Sequence, residues 1–322
     1  MKSLWRRLFR RKKSDVLGQQ ATNSTVESTE GYSRFFPKHP KYLYRYCSAD
    51  RAIQILRDKY LFLCPLDRLN DMFDASVGSA IKFSPDVAHE LEVRRIMAFG
   101  GFSRRVAEEF VREQSTPKEQ RDNFKHFTDE LRKMNSRMRK HSGVVCFSAT
   151  FNDQRMWGTY GDNHSGVCIQ FWDDEGKSVV HKHVQPVIYT NEPRGDILIG
   201  RMDERGALSP ATLGGLFYLT KTPHWVGENE WRIVMLADKH QSDQDRRFRF
   251  SASNIRRIYL GPRILPEKRE EIWDIARKHT ADWALFDVRA DPDTGTSSFH
   301  GLEQIKNIDD FEFHARYALP DE

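Results

Sequence analysis

Glu228 and Glu230, two residues apart in "WVGENEWRIV" (225–234), are the side chains in this sequence best suited to chemistry. If the stretch is a strand, both carboxylates face one space while Trp231 and Ile233 face the other. Like charges on one strand face cost stability, and a carboxyl beside a carboxylate has its pKa pushed up, which suits a general base. In "CFSAT", Ser148 and Thr150 share one face of a strand end, and "MWGTYGDNHSG" then spaces Trp157, Tyr160, His164 and Gly166 as W-x-x-Y-x-x-x-H-x-G. Arg45 is a charge in the apolar run "LYRYCS", and Lys221, Trp225 and Arg232 extend the glutamate motif on both sides. Taken singly, each has an ordinary structural reading: an ion-paired arginine, a helix-capping histidine, a solvated hairpin with charge pairs.

Other chemistries lack their residues. There is no phosphate loop of the G-x-x-x-x-G-K-S/T or G-x-G-x-x-G kind and no G-x-S-x-G elbow. His181-x-His183 is the close histidine pair, and no third ligand stands at metal-like spacing, so no metal is expected. Cys47, Cys64, Cys146 and Cys168 fall in apolar strand-like runs without a C-x-x-C, as small core residues do in a reducing compartment.

These motifs need a fold to hold them. The 322 residues, 39% hydrophobic and 12% aromatic, suffice for a core. The formal charge of +5 sits at the N-terminus: residues 1–13 hold seven Lys and Arg and no acid, and the rest carries −2. A nucleic-acid-wrapping domain would keep its excess charge in the folded body. "MKSLWRRLFRRKK" sets Leu4, Trp5, Leu8 and Phe9 on one helical stripe among arginines, which fits an anionic membrane surface as well as a basic tail. Residues 14–34 read as a flexible linker, and residues 35–322 as one domain. No apolar run reaches the roughly 20 residues of a membrane span, so the expected location is the cytoplasm, either free or, if residues 1–13 bind lipid, at the inner membrane face.

Within the body, "KYLYRYCS" reads as a strand and "ADRAIQILRDKYLFL" as a helix followed by a strand, with a loop over "CPLDRLNDMFDA". Residues 86–140 are charge-dense with helical periodicity, a helical insertion in which Thr116-Pro117-Lys118-Glu119 is a helix start. Strands follow at "VVCFSAT" and "GVCIQFW" with a short helix between, then a strand or hairpin over "KSVVHKHVQPVIYT" and a helix from Ser209-Pro210 to about Thr220. "EWRIVML", "RRFRFS", "IRRIYLG" and "WALFDVR" are further strands, with "PEKREEIWDIARKH" as a helix. The class is α+β with mostly antiparallel strands and peripheral helices.

Taken in order, "LNDMFDA" (69–75), "CFSAT", W-x-x-Y-x-x-x-H-x-G and W-x-x-E-x-E-W-R resemble a bacterial domain-of-unknown-function family, numbered 2971, over roughly residues 40–265. Leu69, Met72 and Asp74 depart from that family's usual F-N-D-P-F-E. The same order is similar to the ADP-ribosyltransferase fold of the arginine-serine-glutamate class: Arg45 on a first strand before a helix, Ser148 and Thr150 in a Ser-Thr-Ser-like strand end with Ala149 in the middle, then Glu-x-Glu.

That resemblance implies split antiparallel sheets and an NAD-consuming transferase that breaks the nicotinamide–ribose bond and passes ADP-ribose to a protein or nucleic-acid acceptor, as a toxin or antiphage effector would. It implies Glu230 as the carboxylate that holds the ribose and stabilises the oxocarbenium-like state, Glu228 as the base for the acceptor, and Ser148 as the residue that orients Glu230 or the nicotinamide amide. Arg45 would bind the pyrophosphate or adenosine ribose. Trp157 or Tyr160 would stack on the nicotinamide, and Thr150, His164 and Arg232 complete the NAD-contacting set. Two alternatives remain open: an NAD-dependent RNA 2′-phosphotransferase-like enzyme leaning on Arg45, His164 and Arg232, and a nucleotide-sensing or membrane-associated module without turnover.

Overall fold

In a computed structural model, residues 39–69, 74, 84–173, 176–190, 217–237, 239–278, 283–290 and 299–304 are described. The basic segment 1–13, the linker, most of "LNDMFDA" and most of the helix expected over 209–220 lie outside them. The chain divides into two compact units, a helical one whose described part is residues 84–127, and a sheet-bearing one that holds the other described residues.

The helical stretch forms as its periodicity predicts. Helix α2 covers Pro85–Gly100 with proline at its first position, α3 Arg104–Gln114, and α4 Pro117–His141. Gly101 closes α2 in the left-handed region at φ 66°, where a residue without Cβ costs least. At the start of α4, Thr116 Oγ1 accepts from Glu119 N at 3.2 Å while Glu119 Oε2 accepts from Thr116 N at 2.9 Å, the reciprocal cap that Thr-Pro-Lys-Glu encodes.

In the sheet-bearing unit, β1 (Tyr42–Cys47) leads into α1 (Ala49–Asp58), capped by Ser48 and followed by β2 (Tyr60–Phe62) and β3 (Cys64–Pro65). After α4 come β4 (Gly143–Ser148), α5 (Gln154–Thr159) and β5 (Val167–Trp172). "KSVVHKHVQPVIYT" opens not as a strand but as α6 (Val179–His183). Ser178 Oγ accepts from His181 N and starts the turn before β6 (Val184–Pro186) and β7 (Ile188–Tyr189). Then follow β8 (Thr220–Lys221), β9 (Glu230–Met235), β10 (Arg247–Arg249), β11 (Ile255–Leu260), α7 (Pro266–Arg277), β12 (Ala284–Ala290) and β13 (Phe299–Gln304).

Nine of these strands form one sheet in the order β13-β12-β11-β5-β1-β4-β9-β6, with β3 beside β4. Its pairs are antiparallel except β11 with β12, so the α+β class holds and the sheet is mixed. Separate sheets were expected; here β1 links the halves, but narrowly. It pairs with β5 over six residues and with β4 only at Tyr44↔Ser148.

Strand alternation gives the sheet two different faces. Leu43, Phe147, Ile169, Trp231 and Ile233 point into the main core, closed by Ile53 and Leu56 of α1 and Ile272 of α7. Tyr44, Tyr46, Cys168 and Tyr259 point the other way, against Met156 and Trp157 of α5. Arg246, 4% exposed, donates to the carbonyls of Lys140, His141 and Ser142, where α4 leaves acceptors unpaired before β4.

Candidate functional site

The register β1–β4–β9 sets Tyr44, Ser148 and Glu230 in one row across three strands. Glu230 opens β9, and Arg232, two residues on, shares its face. Arg232 is 1% exposed and all five of its guanidinium N–H groups are used. Nε and Nη2 donate to Glu230 at 2.7 and 2.9 Å, Nη1 and Nη2 donate to Asp74 at 2.9 and 2.5 Å, and Nη1 also donates to the Tyr218 carbonyl at 2.8 Å. Such a fork suits two carboxylates at once.

Glu228 does not lie on the strand. Residues Pro223–Glu228 form a 3-10 turn with proline at its start, and Asn229 follows in the left-handed region at φ 42°. Asparagine is among the residues that tolerate this conformation. The turn therefore replaces the i, i+2 strand geometry read from the sequence, yet the two carboxylates still meet, because Lys221 lies between them. Its Nζ is 2.6 Å from Glu228, 3.0 Å from Glu230 and 3.7 Å from Asp74, and sits 4.7 Å from the centre of the Trp225 ring. Lys221 reaches this place from β8, which pairs with β7 at Tyr189↔Lys221, and the Tyr189 hydroxyl accepts from Glu230 N at 2.9 Å.

Three carboxylates and two cations thus share one buried cluster with a formal charge of −1. Burial alone would raise every carboxyl pKa in it. At Glu230 the Arg232 guanidinium and the Lys221 ammonium outweigh burial and hold the carboxyl down at about 2. At Glu228 burial wins over the bonds from Lys221 and Tyr160, and the carboxyl lies above its ordinary value. Burial works against the Lys221 ammonium, but Glu230 and Glu228 outweigh it, so the lysine is held charged.

The predicted site residues take different places. Tyr160, just past α5, donates from its hydroxyl to Glu228 Oε1 at 2.6 Å. Ser148 is fully buried and fixes backbone, where an orienting contact to Glu230 or to a ligand was expected: its Oγ donates to the Glu228 carbonyl at 2.8 Å and accepts from Thr150 N at 3.1 Å. Thr150 Oγ1 donates to Asn152, and its carbonyl accepts from the Tyr46 hydroxyl.

Trp157 is 0% exposed, its Nε1 donating to the Phe151 carbonyl and its ring meeting Tyr46 edge-on at 5.3 Å; the expected stacking on a ligand has no free face. His164 adopts φ 68°, and its carbonyl accepts from Arg263 N in the turn that Gly166 closes. A Cβ on Gly166 would lie 2.3 Å from the Cys47 carbonyl oxygen, which explains the glycine of the motif.

Arg45 lies on the strand side of Leu43 and Cys47, and its Nη1 donates to the Cys146 carbonyl at 2.7 Å, across the place where the β1–β4 ladder is open. Among the described residues the cluster therefore gathers Glu228, Glu230, Arg232 and Tyr160 with Ser148 behind them, and Arg45, Trp157 and His164 stand apart. Arg232, which one alternative groups with Arg45 and His164, here directs all its donors to Glu230, Asp74 and the Tyr218 carbonyl. Sequence reasoning missed Asp74, Lys221 and Tyr189 as members. Lys221 stood at the head of the glutamate motif, which was its signal; Asp74 stood in "LNDMFDA", an acid where the resembled family has Glu, but nothing tied it to Arg232, 158 positions away.

The fold and site define an α+β protein with a buried carboxylate–lysine–arginine cluster at the edge of a mixed sheet. The family model "Protein of unknown function (DUF2971)" matches residues 156–233, the span that holds Tyr160, Lys221, Glu228, Glu230 and Arg232, and so supports the resemblance that the motifs carry. No curated protein and no solved structure matches the chain.

Proposed function

We propose that the chain is an enzyme that cleaves a glycosidic bond through a cationic transition state, with NAD as substrate and ADP-ribose passed to a macromolecular acceptor. The observation that carries this reading is the carboxyl pair, with Glu230 held near 2 and Glu228 raised. Neighbouring titratable groups driven apart in pKa divide the acid and base roles between them. Glu230, ionised at any working pH and clamped by Arg232 and Lys221, is a fixed negative charge against which positive charge on the ribose C1 can develop. As the bond from C1 to the nicotinamide nitrogen breaks, nicotinamide leaves as a neutral ring. The acceptor's nucleophile bonds C1, and its proton passes to Glu228.

The test is incubation of the purified chain with NAD labelled in the adenylate moiety and a cell lysate, beside Glu230→Gln and Glu228→Gln. Label on a macromolecule with wild type, absent with both variants, is the expected result. Wild type that releases no nicotinamide, or a Glu230→Gln variant of full activity, overturns the reading. One observation favours a second reading, a module that binds nucleotide without turnover: the Glu230 oxygens already carry bonds from Arg232 and Lys221. Calorimetric binding of NAD without nicotinamide release would select it.

A further inference from the structure

The reaction proposed above needs a cation for the two phosphates of NAD, and the cluster does not offer one. Lys221 and Arg232 are buried and already bound to carboxylates. Arg45 follows Tyr44 in β1, so it projects from the face of the sheet opposite to Tyr44, Ser148 and Glu230. Glu228 is the outermost of the three carboxylates, with 11% of its side chain exposed against 5% for Glu230 and 1% for Asp74, so a substrate reaches the cluster beside it.

Arg155 stands at this place. The α5 segment meets the Pro223–Glu228 turn twice: through the Tyr160 hydroxyl on Glu228, and through the Arg155 guanidinium, which lies against Gly227. A Cβ on Gly227 would run into Nη2, Cζ and Nη1, so the glycine is the seat of the guanidinium. Asp153 accepts from Nε and Nη2 at 3.2 and 2.7 Å and sets the plane of the fork. Nη1 makes no hydrogen bond among the described residues, and the side chain is 72% exposed. A pair this exposed is worth little, so Nη1 can take a stronger anion, and a fixed guanidinium plane suits phosphate oxygens.

We propose that Arg155, seated on Gly227, receives the pyrophosphate of NAD at the edge of the cluster, the part expected of Arg45. This role rests on NAD as the substrate.

Calorimetric titration of the full chain with ADP-ribose, which keeps the pyrophosphate and lacks the scissile bond, tests it without turnover. Arg155→Ala is expected to weaken ADP-ribose about tenfold, and Arg155→Lys less, since it keeps the charge without the fork. In Gly227→Ala the Cβ displaces the guanidinium, a flexible end that can move aside, so affinity should fall by a similar factor with little change in melting temperature. The double variant should then lose no more than either single one. In nicotinamide release from NAD, Arg155→Ala should raise KM and leave kcat near wild type. Unchanged ADP-ribose affinity in Arg155→Ala overturns the proposal and leaves NAD as substrate, and a double variant whose losses add overturns the seating on Gly227. Wild type that binds neither NAD nor ADP-ribose overturns this role together with the reaction.

Discussion

Replacing Arg232 with methionine removes the guanidinium that hydrogen-bonds both Asp74 and Glu230. Two of three buried carboxylates are then left with Lys221 alone, which lies 3.0 Å from Glu230 and 3.7 Å from Asp74. The size of the effect follows from two directions. Removing one partner from a buried ion pair costs about 3–5 kcal/mol. Independently, a carboxyl that titrates at about 2 when folded and at 4.5 when unfolded is worth about 3 kcal/mol at neutral pH. The sign follows from the depressed folded pKa: in wild type this stability is present above pH 4.5 and is lost as pH falls through about 2. In Arg232→Met a buried carboxyl must take up a proton, so the variant's deficit is largest at neutral pH and shrinks as the solution is acidified. Urea unfolding followed by circular dichroism at pH 7 and pH 5 reads both quantities. A deficit under about 1 kcal/mol at pH 7, or one that does not narrow at pH 5, would refute the reasoning.

Three further outcomes follow from the same geometry. Tyr160→Phe removes the hydroxyl that donates to Glu228 at 2.6 Å, so it should raise the Glu228 pKa further and shift the acid limb of the activity profile upward, at a stability cost of about 1 kcal/mol. Burial, aided by His39 and opposed by Asp173, lowers the His181 pKa from 6.5 to about 4, so the stability this neutral imidazole contributes is present above pH 6.5 and lost as pH falls through about 4; thermal melts of His181→Gln should show a flatter slope across that window. Gly166→Ala should destabilise by about 1–3 kcal/mol in thermal melts, because its Cβ meets the backbone oxygens of Cys47 and Gly161 at 2.3 and 2.7 Å and these cannot move aside as a flexible side chain would.

Local rules made part of this molecule legible in its sequence. The reciprocal cap at Thr116 and Glu119 fixes the start of α4, and the apolar alternation of "LYRYC" and "GVVCFS" fixes β1 and β4, because these signals lie within a few residues of what they specify. The segment "KSVVHKH" was ambiguous, since its adjacent valines suit a strand and only the Ser178 cap turns it into α6. Glu228 and Glu230 were correctly paired for an incorrect reason: the left-handed Asn229 breaks the strand, and a lysine rather than strand alternation joins the carboxylates. Partners such as Asp74 for Arg232, 158 positions away, or Tyr189 of the separate β7–β8 pair for Glu230, meet only through the tertiary fold, which no local pattern encodes.

The central claim is that Lys221 and Arg232 hold one carboxyl of the pair ionised while leaving its neighbour to exchange protons. Carbon-13 NMR of the glutamate side-chain carboxyls, assigned with Glu228→Gln and Glu230→Gln and titrated from neutral pH until the chain unfolds, measures this without any ligand. The account predicts that the Glu230 carboxyl keeps its ionised shift well below pH 4.5 while Glu228 titrates above that value. Two carboxyls that titrate together near 4.5, or a Glu230 that protonates before Glu228, would contradict it.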